Sequence, residues 1–427
     1  MSKITVAVSA PIDTYSGYGA RSRDLVKALL KSNKYNVILL SQRWGNTRFG
    51  YLEEHNEDEM LSLIAPNLSA QPDVWIQITV PNEFQKVGKY NIGITAGMET
   101  TLVHQSWIEG CNRMDLVLTS SNHSKKVFES SQYEIQNKNS NAPATRLKLE
   151  KPIEVLFEGV DILKYSPKAN TKSELTEQLN NISEAFCYLL VGHWMQGDFG
   201  HDRKNVGYTI KSFLETFKNK RTPPALILKT HTATTSIMDR ERILDKIDAI
   251  KKTVKGSLPN IYLIHGEITD SQINELYNHQ KVKVMVSHTK GEGFGRPLLE
   301  FATTGKPIIA SGWSGQLDFL HREYSVLIGG QLDKVHPSAV AKDMILPEAQ
   351  WFTPNDADVN KAYKQTYKKY KDSVTAAKKQ RRLVLDKFTF DNMVETLDNI
   401  MEKHLPEFPK QINITLPKLE LPKLEIK

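Results

Sequence analysis

The sequence predicts two doubly wound, Rossmann-like α/β domains facing each other across a cleft, and three observations carry that prediction. Short apolar strands alternate with amphipathic helical stretches along most of the chain. The alternation lapses once, in the polar stretch KSELTEQLNNISE, and then restarts. The length of 427 residues, with 40% hydrophobic and 25% charged content, suits two or three globular domains rather than a disordered chain.

Taken in order, the first half offers strands at ITVAVSA (4–10), YNVILLS (35–41), VWIQITV (74–80), YNIGITA (90–96), LVLTSS (116–121) and IEVLFEG (153–159). The second half offers FCYLLVGHW (186–194), ALILKTH (225–231), IYLIHGEI (261–268), VKVMVSH (282–288) and KPIIASG (306–312). The expected boundaries are 1–175 for the N-terminal domain and 176–378 for the C-terminal one, followed by a closing helix over 379–405 and a tail over 406–427. Ligands of such sheets bind where strands end at the cleft. Residues 136–148, QNKNSNAPATRLK, read as a long surface loop. The tail repeats LPKLE twice over 416–425, and its prolines exclude a continuous helix. It reads as a flexible tether, with an added strand on a partner's sheet edge as the other reading.

Composition narrows the class further. The N-terminus enters a strand directly, with no secretory pattern and no apolar run of membrane-spanning length, so a cytoplasmic protein is expected. Cys111 and Cys187 show no metal-ligand spacing and read as buried free thiols. The net charge of +7 is mild, and its main concentration, residues 362–387, reads as a solvated helix face. An anionic partner is permitted but not demanded.

The most informative stretch is 285–318, MVSHTKGEGFGRPLLEFATTGKPIIASGWSGQLD: strand, glycine-rich loop, short helix, strand. Gly291, Gly293 and Gly295 allow close backbone approach to a ligand, and Pro297 suits the first helical turn. Unpaired amides at such a turn favour a phosphate. Glu292 and Glu300 beside an anion site suit a phosphate flanked by hydroxyl-bearing rings, which describes a nucleotide sugar.

The run EGFGRPLLEFATTGKPIIAS resembles the Glu-x7-Glu signature of retaining group 1 glycosyltransferases, whose fold is GT-B. The resemblance covers roughly residues 1–405 and is most specific over 285–318. It implies that Glu292 approaches the donor sugar hydroxyls and Glu300 holds the ribose, with the Gly293, Phe294 and Gly295 backbone on the diphosphate. Gly17 and Gly19, opening a helix after the first strand, resemble the family's loop facing the donor phosphates. Arg203 and Lys204 resemble its basic pair, although His193 stands where an arginine often follows the strand glycine. Ile268, with Glu267, resembles the segment whose backbone meets the nucleobase. On the acceptor side, Glu99 and Trp107 fit family positions, and Glu99, Thr100 and His104 are the residues available where relatives carry a histidine. Gly159, Val160 and Asp161 match a pre-linker element that turn formation explains. Asp356-Ala-Asp358 has the form of a metal-binding DxD motif but falls in a polar linker, and is read as coincidence.

The resemblance thus implies a metal-independent retaining transfer without a cofactor, from a nucleotide-diphosphate sugar, a UDP-sugar first among them. The acceptor expected is a sugar, glycan or lipid-linked glycan. One alternative is hydroxymethylated pyrimidine in DNA, as in enzymes of some tailed phages, and a second is a non-transferring epimerase or binding module.

Overall fold

The computed structural model describes residues 3–135, 144–167, 173–232 and 235–408. The LPKLE repeats lie outside the described residues, as does most of the loop expected at 136–148. The flanks of that loop pair as a small hairpin, Tyr133–Ile135 with Thr145–Leu147.

The first sheet is built from β1 (Ile4–Ala10), β2 (Tyr35–Ser41), β3 (Val74–Ile78), β4 (Tyr90–Ile94), β5 (Leu116–Thr119) and β6 (Ile153–Val155). Its order is β2-β1-β3-β4-β5-β6, and every pairing is parallel. The second sheet is built from β7 (Cys187–Val191), β8 (Ala225–Lys229), β9 (Ile261–Ile264), β10 (Val282–Ser287), β11 (Ile308–Ser311) and β12 (Val326–Ile328). It runs β9-β8-β7-β10-β11-β12, again all parallel.

Parallel strands buried on both faces must be apolar at consecutive positions, which is why the strands read as unbroken apolar runs. In β1, Val6 and Val8 enter one core with Leu25, Val26 and Leu29 of the Gly17–Ser32 helix. Ala7 between them enters another, with Trp75, Phe84 and Trp107. The second sheet divides likewise: Leu189, Ile227 and Met285 face one way, Tyr188, Leu190 and Leu228 the other. Cys111 and Cys187 are buried free thiols within these cores. The Glu174–Asn180 helix, capped by Ser173, buries Leu175 and Leu179 in the second core, so the polar stretch already belongs to the second lobe.

The two lobes exchange chain twice. The outgoing segment after β6 and the returning one lie side by side: the Val160 amide donates to Phe388 O at 2.9 Å and the Phe390 amide to Val160 O at 2.8 Å. A Cβ on Gly159 would overlap the Thr389 carbonyl and Phe390 Cα. Gly159 therefore serves the crossing of two connections, which a local turn does not capture. The return lies at Phe388 and Thr389 rather than at residue 379, because the Tyr370–Lys387 helix still packs on the second lobe through Val384. Thr389 then caps a separate helix, Phe390–His404. Met393, Leu397, Ile400 and Met401 of that helix complete the first core, and Lys34 pairs with its Asp398 at 2.8 Å.

Leu397 is 1% exposed, so Leu397→Ala is expected to cost about 2–5 kcal/mol. Urea unfolding of the variant checks this; a loss below 1 kcal/mol would mean that the helix contributes little to the first lobe.

Candidate active site

Strand order reverses between β1 and β3 in the first sheet and between β7 and β10 in the second. Loops at such reversals diverge and leave a crevice at the carboxyl ends of the strands. The two crevices face each other. Four segments meet there: the loop after β1, the Thr95–Glu99 stretch after β4, the loop after β7 carrying Arg203 and Lys204, and the glycine-rich loop after β10.

The glycines divide by cause. A Cβ on Gly291 would overlap the Glu99 carbonyl oxygen, and one on Gly293 the Ala96 carbonyl oxygen. These two glycines are therefore required by backbone contact between the lobes, a correction to the reading that close ligand approach demands them. Gly295 has φ +101° and precedes the Arg296–Ala302 helix, a conformation that favours glycine. In the first lobe, a Cβ on Gly19 would strike Thr14, whereas nothing stands within 4 Å of one on Gly17. Ser16 caps this helix by accepting from the Gly19 amide at 2.9 Å.

The loop after β10 is pinned from behind. Ser314 Oγ accepts from the Glu292 amide at 2.9 Å, the Gly315 amide donates to Glu292 O at 2.9 Å, and Ser120 Oγ donates to Gly293 O at 3.1 Å. Among the described residues, the amides of Gly293, Phe294 and Gly295 donate to no protein oxygen. The Phe294 side chain is buried against Phe319 in the second core, so this residue offers a ligand only its backbone.

Charge concentrates at one point. Lys204 Nζ donates to both Glu292 oxygens, at 2.7 and 2.8 Å, and Arg203 Nη1 lies 3.3 Å from Glu292 and 3.5 Å from Glu99. Arg203 also donates to the Gly291 carbonyl at 3.0 Å. Burial pushes the Glu292 carboxyl up, but Lys204 and Arg203 outweigh it and hold it below its ordinary value. Burial lowers the Lys204 pKa, opposed by Glu292. His193, whose ring lies tilted against that of His231 with centroids 4.2 Å apart, is pushed down to about 3 by burial, with His231 and Lys204 adding to the effect, and is a neutral imidazole.

Glu300 lies apart from this cluster, in a cavity of about 330 Å³ that also borders Gly17 and Arg296. Tyr277 Oη donates to it at 3.3 Å, and Arg296 Nε stands 4.0 Å away. Burial, reinforced by Asp270 and Glu158, raises Glu300 to about 7 against the opposing Arg296. Arg296 also pairs with Asp24 of the first lobe and, at 3.2 Å, with the buried Glu158. Sequence reasoning passed over Arg296, although one signal was present: a cation in the first turn of a helix opposes the helix dipole and needs another reason to be there.

Ile268 packs against the second core in the segment leading to Thr269, which caps the Asp270–Asn278 helix with Gln272. Glu267 reaches across to Arg48 of the first lobe at 2.8 Å. Lys229, the last residue of β8, donates to Gly266 O at 2.7 Å, and burial lowers it to about 8. Of the first-lobe candidates Glu99, Trp107 and His104, only Glu99 joins the cluster. Trp107 is a core residue stacked near Phe128. His104 caps the Gln105–Arg113 helix and faces Asp343 at 3.4 Å. Asp356 and Asp358 lie in the first turn of the Asp356–Lys368 helix, where carboxylates complement the dipole, and Asp356 accepts from Tyr208 Oη at 2.6 Å. Among the described residues no group of three or more His, Cys, Asp or Glu converges as metal ligands, and no helix is long and apolar enough to cross a membrane.

The Glu300 carboxyl is raised above its unfolded value, so the folded protein binds the proton more tightly between about pH 4.5 and 7 and stability falls as pH rises through that window. Glu300→Gln is expected to stabilise the protein relative to wild type by on the order of 2 kcal/mol more at pH 8 than at pH 5. Thermal melts of both proteins at the two pH values decide it; parallel shifts would remove Glu300 as the titrating group.

Residues 253–343, which contain the Glu292–Glu300 segment, match the family model for group 1 glycosyl transferases. No curated protein sequence matches the chain at a significant level. Among solved structures it is similar to a glycosyltransferase from Rickettsia africae, 16% identical at TM-score 0.60, over 95% of this chain and 99% of that one. It is similar to sucrose-phosphate synthase from Thermosynechococcus elongatus, 11% identical at TM-score 0.61, over 94% and 99%. It is also similar to Anabaena HepE in complex with UDP-glucose, 12% identical at TM-score 0.61, over 94% and 100%. With two parallel six-stranded sheets facing across a cleft and the matched segment at its centre, the chain has the GT-B fold, and its residues 253–343 resemble group 1 glycosyl transferases.

Proposed function

We propose that the chain transfers a sugar from a nucleotide-diphosphate sugar to an acceptor hydroxyl with retention of anomeric configuration. One observation carries the reading: Lys204 and Arg203 converge on Glu292 beside the three unpaired amides of Gly293, Phe294 and Gly295. Two half-buried cations and three amides suit a diphosphate, and a UDP-sugar donor is supported by HepE having been solved with UDP-glucose. In this reading the Gly17 and Gly19 loop closes the phosphate site from the first lobe. Glu292 accepts from donor sugar hydroxyls, Glu300 from the ribose diol, and the Ile268 backbone meets the base.

The leaving diphosphate gains negative charge as the bond from the anomeric carbon to its oxygen breaks. Lys204 and Arg203 stabilise that charge, so the scheme runs without a metal ion. The acceptor oxygen forms its bond to the anomeric carbon on the face the diphosphate leaves. The electron pair of the broken bond departs with the phosphate, and the acceptor proton passes to that phosphate oxygen. Glu99 and Glu292 share Arg203 as a partner. Both therefore lie by the donor cations rather than flanking the scissile bond as the carboxyl pair of a glycosidase does.

Screening nucleotide sugars by thermal shift tests the donor assignment, since a cognate donor at 100 times its dissociation constant stabilises by about 2.7 kcal/mol. With that donor, Lys204→Met is expected to lower kcat about 10²- to 10³-fold, and proton NMR of the product should show the donor's anomeric configuration. An inverted product would overturn retention. Unchanged kcat in the variant would remove Lys204 from leaving-group stabilisation.

A further inference from the structure

A second cavity, of about 440 Å³, lies outside the donor site. One wall is first-lobe chain, Leu102, His104 and Tyr133, and the other is Asp343, Ile345 and Leu346 from an excursion that the second sheet does not need. That excursion leaves after β12 and returns as an antiparallel hairpin, Gly330–Lys334 with Gln350–Pro354. Its small core of Val335, Ala339, Ala349 and Trp351 packs against Leu102 and Trp313. Hydrogen bonds hold it to the first lobe, the Thr101 amide donating to Gln350 O at 3.0 Å and the Gln350 amide to Thr101 Oγ1 at 2.9 Å. The cavity therefore exists only where both lobes meet, as the transfer site does.

Three features define what it would hold. Its volume falls in the range of roughly 300–1,000 Å³ used for small-molecule sites. Its lining mixes aliphatic faces, Leu102, Ile345 and Leu346, with the polar tips of His104 and Asp343, which suits a ring having apolar C–H faces and hydroxyl edges. Its lining sets one cation, Lys342, against two carboxylates, Asp343 and Glu348, and that slight negative excess disfavours the phosphate backbone of nucleic acid. Its position is tied to the chemistry, because Leu102 is three residues from Glu99 and therefore at most about 10 Å along the chain from the residue beside Arg203.

We propose that this cavity is an acceptor subsite for a neutral saccharide, and that it holds the sugar unit next to the one that bears the attacking hydroxyl. The proposal rests on the transferase reading above and sharpens it: the acceptor is an oligosaccharide or glycoside of at least two units, not a modified base in duplex DNA. The His104 ring and Asp343 carboxylate bind hydroxyls of the held unit, and Ile345 and Leu346 pack on its face.

The test compares methyl glycosides of glucose, galactose, mannose and N-acetylglucosamine with the matching disaccharide glycosides, using the donor found by thermal shift. At least one disaccharide should exceed its monosaccharide by tenfold or more in kcat/KM. Ile345→Trp, which fills a partly exposed position in the cavity, should erase that advantage while leaving donor hydrolysis in the absence of acceptor unchanged. His104→Asn keeps a capping side chain on the helix and should raise the disaccharide KM severalfold with little change in kcat. Equal rates for mono- and disaccharides, a preference surviving both substitutions, no transfer to any of these sugars, or transfer only to hydroxymethylated duplex DNA would each overturn the proposal. The failures separate cleanly: a wild-type protein that neither binds nor hydrolyses any nucleotide sugar defeats the transferase reading, whereas intact donor hydrolysis together with a disaccharide preference that survives Ile345→Trp defeats the cavity alone.

Discussion

The site depends on one steric constraint, the backbone contact between Ala96–Glu99 of the first lobe and Gly291–Gly293 of the second. Carbonyl oxygens of Ala96 and Glu99 occupy the space where side chains on these glycines would stand. No other residue type allows that approach, and the approach sets everything nearby. It brings Glu99 to Arg203 and seats Gly293 O on Ser120, beside the Gly293, Phe294 and Gly295 amides that donate to no protein oxygen among the described residues. A single added methyl at Gly291 or Gly293 would push the lobes apart beside the Arg203 and Glu99 pair.

Charges then organise around this contact. Removing ions from water is costly unless each finds a partner, and the half-buried cations here are paired across segment boundaries. Arg203 and Lys204 after β7 meet Glu292 after β10, and Arg296 meets Asp24 and Glu158 from the first lobe and its connection. Glu292 pairs with the cations that the proposed diphosphate would engage. Glu292 would thus exchange partners when donor binds, from ammonium to sugar hydroxyls. Glu300 is different, because its buried carboxyl has weak compensation from Arg296 at 4.0 Å and is raised to about 7. Ribose hydroxyls donating to it would favour its ionised form.

Much of the fold was legible because parallel strands buried on both faces must be apolar at every position, and runs such as YLLV and ALIL cannot hide among amphipathic helices. The antiparallel hairpin at Gly330–Lys334 and Gln350–Pro354 was not legible. Its first strand, GQLDK, carries a single apolar residue and is mostly exposed, so it shows no buried alternation to pair with QWFTP, and the fifteen or so residues between them give no tight-turn signal. The break between the Tyr370–Lys387 and Phe390–His404 helices was also obscured, since Thr389 as a cap is a common residue in an otherwise helical pattern. Trp107 shows the opposite failure, a residue that fits a functional position by spacing but is held in the core by Phe128 and its neighbours.

What the sequence by itself determined is local: the strand and helix periodicities, the Gly-Glu-Gly-Phe-Gly loop after β10, the carboxylates at Glu292 and Glu300, and the adjacent cations Arg203 and Lys204. Each is written in neighbouring residues or in a short repeat of apolar positions. Tertiary structure alone decided which carboxylate meets which cation, why Gly291, Gly293 and Gly159 are glycines, and that Arg296 bridges the lobes. Those facts depend on segments some 90 to 270 residues apart meeting at the crossing points of two sheets. Backbone contacts of that kind leave no periodic trace, since the same glycine serves a turn, a ligand or a neighbouring chain, and only packing shows which.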